Sequence, residues 1–377
     1  MGRRPRDESD FRDRPGKRGS RPRTKIRPEH TDAVTGFVTG VDRGRYTLLV
    51  VDGTTDEGTV GDHATADDPA RAGVRTRTIV AMKARELHRD RVVCGDRVDV
   101  VGDTSGDEGS LARIVRIQDR TATLRRTADD TDPYERIVVA NADQLVIVTA
   151  LAQPEPRIRM IDRCVVAAYD AGMDVTLCLT KADLADPTPL RELYEPLGVT
   201  VLVTRRDGGD GTAPRADAPD AGDDPLGPVR AQLEGKISVL VGHSGVGKST
   251  LVNALVPDAA RATGVVNAVT GRGRQTSTSA VALPLPDAAG WVIDTPGVRS
   301  FGLAHVEVEH LLAAFEDLAA VAVECPRGCT HAEDAPDCAL DAWVAAGDDG
   351  TGEASQQVRA VRVESFRRVL AARTATV

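Results

Sequence analysis

GKISVLVGHSGVGKSTLVNALVP, residues 235–257, decides the fold. ISVLV is a short, unbroken apolar run, as a strand covered on both faces of a parallel sheet must be. Gly242-His243-Ser244-Gly245-Val246-Gly247-Lys248-Ser249 then satisfies G-x-x-x-x-G-K-[ST] in full, and Ser249 and Thr250 open the helical run STLVNALV. Strand, glycine loop and helix form the context in which this motif cradles phosphate. The glycines let successive backbone N–H groups curl round the anion, Lys248 reaches the β- and γ-phosphates, and Ser249 is placed to ligate Mg2+. The competing reading is a glycine turn between a strand and a helix, which leaves the Lys-Ser pair unexplained.

Upstream, from Asn141, β and α patterns alternate: DQLVIVTALA, IRMIDRCVVAAYDAG, MDVTLCLTKAD, PLRELYEPLG and VTVLVT. Alternation of this kind predicts a parallel α/β sheet. Downstream, AVALPLP and GWVIDTPG read as two more strands. Thr180-Lys181-Ala182-Asp183 sits at a strand end. Asp183 can accept two hydrogen bonds from the N1–H and 2-amino groups of guanine, a donor pair that adenine lacks, and the Lys181 stem can cover the base. Thr180 stands where Asn is usual; it keeps a hydroxyl and loses the amide. Asp294-Thr295-Pro296-Gly297 closes a later strand, where Asp294 can hold Mg2+ and the Gly297 amide can meet the γ-phosphate. The base-reading Asp183 precedes Lys248, whereas ordinary GTPases place the phosphate loop first. One pocket must therefore be assembled from a circularly permuted chain. Asp183 argues against an ATP-dependent metabolic enzyme on the same loop.

The 377 residues suggest two or three domains. Apolar residues make up 41% and aromatics only 3%, so the cores must be built from Val, Ala, Leu and Ile. No apolar run approaches the roughly 18 residues of a spanning helix. The opening MGRRPRDESDFRDRPGKRGS has no apolar signal core, and six cysteines are too few for a disulfide scaffold, so a cytoplasmic protein is expected. The first 28 residues carry eleven Arg/Lys against four Asp/Glu, a charge of +7; with −9 overall, the rest carries −16 (−9 minus +7). Residues 1–32 read as a disordered basic arm that can pair with phosphates. Over 33–119, short Val/Ile/Thr runs between Gly/Asp turns predict about five strands in a small barrel, of OB or SH3-like type. Residues 207–228 read as a flexible acidic insertion. From Val306 the chain turns helical. Arg359, Arg362, Arg367, Arg368 and Arg373 near its end read as phosphate contacts or as a solvated helix face. Cys325-x3-Cys329-x-His331-x6-Cys338 offers three thiolates and an imidazole, enough for a tetrahedral structural zinc site, against the bland reading of buried thiols. Cys94, Cys164 and Cys178 lie in apolar runs and read as core.

Permuted GTPase motifs, a β-barrel before them and a Cys/His cluster after them resemble the ribosome small-subunit-dependent GTPase A (RsgA) family over about residues 33–370. The resemblance implies a multidomain fold: an N-terminal all-β OB-like barrel (33–119), a central circularly permuted α/β P-loop GTPase domain (136–305) and a C-terminal helical zinc-binding domain (306–377). It implies a GTP hydrolase in late maturation of the bacterial 30S subunit. Mg2+ with GTP and one structural Zn2+ are the cofactors, GTP/GDP, the 30S subunit and 16S rRNA the partners; a monomer with no membrane role is expected. Thr270-Gly271-Arg272-Gly273-Arg274-Gln275-Thr276-Ser277-Thr278 looks like the family's first switch, G-R-G-R-H-T-T, with Gln275 in place of His. One hydroxyl of Thr276, Ser277 and Thr278 should meet Mg2+ and the γ-phosphate, Thr276 being the first in order. Many GTPases orient the attacking water with a Gln directly after DxxG. Val298 holds that place here, so Gln275 joins Lys248 and Asp294 as a catalytic candidate; it can orient water but cannot take a proton near pH 7. Thr204-Arg205-Arg206 replaces the family's Ser-Ala-like pair, and the cluster departs from the usual C-x4-C-x-H-x5-C. The alternative is an RNA-binding zinc protein with a vestigial nucleotide site, against which the intact Lys248, Ser249 and Asp294 argue.

Asp183→Asn should weaken GTP strongly and admit xanthine nucleotides, because an amide inverts part of the donor–acceptor match. Competition against a fluorescent GDP analogue measures this; GTP affinity unchanged within about twofold, under roughly 0.5 kcal/mol, would remove Asp183 from base reading.

Overall fold

Val/Ile/Thr-rich runs with alternating burial form five strands: β1 (Val34–Asp42), β2 (Arg45–Val51), β3 (Thr76–Lys83), β4 (Arg97–Gly102) and β5 (Ala112–Ile117). In β2, Tyr46, Leu48 and Val50 point inward. The strands run in the order β1-β2-β3-β5-β4, and β4 returns to β1. The β3–β5 pairing is parallel and the others are antiparallel. This closed Greek-key order is the OB type, which decides between the two barrels that the strand pattern allows. Val38, Leu48, Ile79, Val98 and Ile114 fill the interior. The computed structural model describes residues 30–52, 75–87, 90–126, 136–206, 214–216, 224, 226–257, 280–295, 301, 303, 306–346 and 353–374. Residues 33–377 pack as one unit; of the unit 1–32, only residues 30–32 are described.

A hairpin that the sequence pattern does not announce, β6 (Thr123–Arg126) with β7 (Arg136–Ala140), follows the barrel. Then come β8 (Gln144–Ala150), α1 (Ile158–Asp170), β9 (Asp174–Thr180), α2 (Thr188–Tyr194), β10 (Thr200–Arg206), β11 (Pro214–Ala216), α3 (Gly227–Leu233), β12 (Lys236–Gly242), α4 (Lys248–Leu255), β13 (Val281–Pro284) and β14 (Gly290–Asp294). Their sheet order is β11-β10-β9-β8-β12-β14-β13, parallel from β10 to β14 and antiparallel at both ends. The chain enters beside the centre at β8, steps outward to β10 and returns to the centre at β12. That is the permutation, seen as topology. Gly40↔Val281 joins β13 to β1 and so the sheet to the barrel.

Two features go beyond the sequence reading. Within 207–228, read as an insertion, β11 pairs with the outer edge of β10, where unpaired backbone groups offer a template; α3 then begins at Gly227. At the amino ends of the central strands, fully buried Gln144 donates to Ser238 Oγ (2.8 Å) and accepts from Thr176 Oγ1 (3.2 Å). A buried polar network of this kind is stable only when its members are paired.

The last helices are α5 (Val308–Ala313), α6 (Glu316–Ala322), α7 (Ala339–Ala345) and α8 (Glu353–Thr374). Phe366 of α8 packs edge-on to Phe315 at 5.3 Å, and Phe315 to Tyr169 of α1 at 5.4 Å. Among the described side chains, Arg359, Arg362, Arg367 and Arg368 of α8 each have partners within the chain. Arg362 forks onto Asp317 and donates to the Pro196 carbonyl. Arg368 meets Asp162, donates to the Leu193 carbonyl and lies over the Tyr194 ring at 4.9 Å. Arg367 pairs with Asp341, and Arg359 lies over Trp343 at 5.0 Å. The side chain of Arg373 lies outside the described residues. Long cationic side chains bury their stems, so acceptors on α1, α2 and the helical lobe draw them inward.

Phe366→Ala removes a fully buried ring from the junction of α8 with α1. It should lower stability by about 3–5 kcal/mol, read by urea unfolding; a loss below about 1 kcal/mol would show that this junction does not hold the lobe.

Candidate nucleotide site and metal cluster

The phosphate loop leaves β12 at Gly242. A Cβ there would lie 2.6 Å from the Val148 carbonyl oxygen, so only glycine lets the loop start against β8. Gly247 is left-handed (φ 94°) and caps α4 without a side chain. The first N–H groups of a helix have no partners within it, and here no cap side chain takes them; a helix entered this way presents donors and a positive end to an anion. Val246 is buried and anchors the loop, while Ser244, Gly245, Ser249 and Thr250 are exposed. Lys248 Nζ donates to Asp294 Oδ1 across the ends of β12 and β14. Thr295 is buried, and its hydroxyl donates to the Leu240 carbonyl at 2.7 Å, locking the turn after β14 to β12. The sheet thus brings Lys248 and Asp294 together, as expected at the carboxyl ends of parallel strands beside a topological switch point.

The loop after β9 is bonded to this phosphate loop. Thr180 is buried, and its hydroxyl donates to the Val246 carbonyl at 2.5 Å; Thr149 O lies at 3.4 Å from the same oxygen. Oγ1 of Thr180 also lies 3.6 Å from where a Cβ on Gly247 would sit. The hydroxyl that remains where an amide is usual therefore bridges the two loops. Lys181 is left-handed (φ 60°), and its Nζ donates to the Gln153 carbonyl. Ala182 N–H donates to Thr204 O at 3.2 Å, and Thr204 is itself buried. Asp183 is exposed beyond this braced turn. His243 and Val246 line a shallow cleft with Thr149, Pro154 and Arg157. Gln275, Thr276, Ser277, Thr278, Gly297 and Val298 lie outside the described residues.

In the helical lobe, the ligand atoms of Cys325, Cys329, His331 and Cys338 all lie within 4.8 Å of one another. Cys325 Sγ is 3.6 Å from His331 Nδ1 and 4.0 Å from Cys338 Sγ, and Cys338 Sγ is 3.8 Å from Nδ1. A tetrahedron with bonds of about 2.3 Å to sulfur and about 2.1 Å to nitrogen has edges of roughly 3.6–3.8 Å, so the four residues fit zinc despite their altered spacing. Backbone N–H groups of His331 and Ala339 point at Cys329 and Cys325 Sγ at 3.4 and 3.2 Å, the donors that thiolates need. Desolvation pushes the Cys325 thiol up to about 11, and nearby Cys338 adds to it. Three sulfurs this close are stabilised as thiolates by a cation between them. Desolvation also lowers the pKa of His331, favouring the neutral imidazole that ligates. By contrast, Cys94, Cys164 and Cys178 are buried core thiols, each pushed up to about 12 by burial.

The RsgA GTPase family matches residues 117–304. The small ribosomal subunit biogenesis GTPase RsgA of Pseudomonas syringae pv. tomato is 37% identical over 287 residues, covering 74% of this chain and 74% of that protein. This chain belongs to the RsgA GTPase family. The RsgA of Gemmatimonas aurantiaca is 34% identical over 273 residues, covering 71% of this chain and 83% of its own length. Among solved structures, YloQ, a circularly permuted GTPase, superposes with a TM-score of 0.54 at 22% identity, covering 90% of this chain and 96% of that one. YjeQ from Thermotoga maritima gives 0.53 at 23%, covering 90% and 99%. These two likenesses speak for the fold, a barrel followed by a permuted sheet. Membership of the RsgA GTPase family makes the chain a GTP hydrolase.

Sequence reasoning placed Thr180 in the base-reading loop but missed its bond to Val246, because a threonine carries no local mark of a partner 66 residues away. Thr180→Val keeps the shape and strands the Val246 carbonyl. GTP affinity should fall at least about fivefold, roughly 1 kcal/mol, in a fluorescent-nucleotide titration; unchanged affinity would mean that the two loops are positioned independently.

Proposed function

We propose that this RsgA-family GTPase acts in maturation of the small ribosomal subunit, binding it in the GTP state and leaving after hydrolysis. The observation that carries the reading is the convergence on one phosphate loop. Lys248 and Asp294 meet at the ends of β12 and β14, and the Thr180–Asp183 loop is bonded to Val246. The names of the relatives from Pseudomonas and Gemmatimonas supply the partner.

In this reading, Gly242 to Thr250 and Gly297 hold the phosphates, and Lys248 stabilises their charge. Asp183 reads guanine, and Thr180 and Lys181 position it. Ser249 and Asp294, with a hydroxyl from Thr276, Ser277 or Thr278, would hold Mg2+; these hard oxygen donors suit it, and when bound it neutralises phosphate charge. Asp294 and a phosphate compete for Lys248, so nucleotide must part the pair, and a cation at Asp294 makes the exchange balance. Gln275 orients the attacking water once the loop that carries it is ordered. The Cys325–Cys329–His331–Cys338 cluster holds one structural Zn2+ that folds the lobe 306–377. The barrel over 33–119 and this lobe contact 16S rRNA, with the sheet over 136–305 as the switch between them. Such a protein works in the cytoplasm as a monomer, and among the described residues no helix is long and apolar enough to cross a membrane.

Purified 30S subunits should raise the multiple-turnover GTPase rate at least about tenfold, roughly 1.4 kcal/mol of barrier. Gln275→Ala should blunt that stimulation while leaving GTP affinity nearly intact. A rate indifferent to 30S subunits would overturn the ribosomal reading, and full stimulation of the variant would remove Gln275 from the mechanism.

A further inference from the structure

Arg367 of α8 takes no part in the nucleotide site, yet it touches both halves of the metal loop. Its Nη1 and Nη2 fork onto Asp341 at 2.7 and 2.8 Å, and its Nε donates to the His331 carbonyl at 3.1 Å. Asp341 lies in the first turn of α7, the helix capped by Cys338, and its N–H donates to the Cys338 carbonyl at 3.1 Å. One planar cation therefore joins the backbone of the ligand His331 to the turn that presents the ligand Cys338. The side chain of Arg367 is only 15% exposed, although that of Asp341 is half exposed, and the third bond, to the His331 carbonyl, anchors the guanidinium on the ligand segment.

Charge points the same way. Three thiolates and a neutral imidazole round a divalent cation leave one net negative charge, and Asp341 adds a second. Arg367 is the positive charge that touches both parts. Its neighbour Arg368 turns about 100° round the helix and braces Asp162 and Tyr194 instead. Lysine could not replace Arg367, because a point charge cannot fork onto Asp341 while also reaching the His331 carbonyl.

We infer that Arg367, which ligates nothing itself, holds the Cys325–Cys329–His331–Cys338 site closed, so that metal retention is governed by a helix outside the ligand segment. This rests on the reading of the cluster as a zinc site. The test uses the full chain. Bound zinc is counted, and its release to an excess of chromogenic chelator is followed by absorbance. The wild type should carry about one zinc per chain. Arg367→Ala should release it at least about tenfold faster, the usual scale for losing a partner behind a metal ligand. Arg367→Lys should fall between the two, and Arg362→Ala, whose arginine meets Asp317 and Pro196 rather than the metal loop, should match the wild type. Release from Arg367→Ala within about twofold of wild type would overturn the inference and leave the zinc reading standing. Equal acceleration by Arg362→Ala would reduce the effect to general docking of α8 and would also overturn it. A wild type that neither carries nor takes up zinc would remove both readings. If Arg367→Ala does not fold, Co2+ loaded into Arg367→Lys decides. Shifted thiolate-to-cobalt bands with faster release support the role, and bands and release equal to wild type refute it.

Discussion

Strand β12 is hydrogen-bonded along both edges, to β8 from Ser238↔Gln144 to Gly242↔Val148 and to β14 from Lys236↔Gly290 to Leu240↔Asp294. A slip of one residue would exchange its two faces and carry Gly242 away from the Val148 carbonyl. The phosphate loop therefore leaves the sheet at one height only. That height puts Lys248 beside Asp294 and lets the Thr180 hydroxyl reach Val246. The Thr180–Asp183 turn and the glycine loop come from distant stretches of chain, but both are referred to this one doubly held strand. Permutation is tolerated because the pocket depends on which strands are neighbours and not on the order in which they were made.

What could be read from the sequence was whatever is local. The phosphate loop, the Thr180–Asp183 turn, the Asp294 turn and the Cys/His cluster each declare their chemistry within fourteen residues or fewer. The βα alternation gave the class of the central sheet for the same reason. The barrel's strands were legible, but its type was not; OB closure depends on β4 returning to β1 and β3 lying parallel to β5, pairings that no strand's own residues encode. β11 was lost in a stretch rich in Asp and Gly because its pairing is a property of the β10 edge.

The arginines of α8 show the same limit. By composition they belong to a solvated or phosphate-facing surface. In the fold, Arg362, Arg367 and Arg368 answer carboxylates on α6, α7 and α1 and the carbonyls of Pro196, His331 and Leu193, and two of them also stack on rings. Their positive charge is largely spent inside the molecule. Through these pairs α8 acts as a strut between the metal lobe and the sheet.

The permuted order also sets the order of synthesis. As the chain emerges from the ribosome, β8, β9 and β10 exist before β12, so β8, with its apolar run from Leu145 to Val148, waits with one edge unpaired. In an unpermuted chain the phosphate strand comes first and its neighbours add to it. Here the central strand is made after β8, β9 and β10, and the β8 edge left open until then invites wrong partners. Gln144 and Thr176 place polar groups at one end of β8 and β9, and these are satisfied together only when Ser238 and Gln232 arrive. These side chains thus tie the strands made first to the segments made later, inside the core.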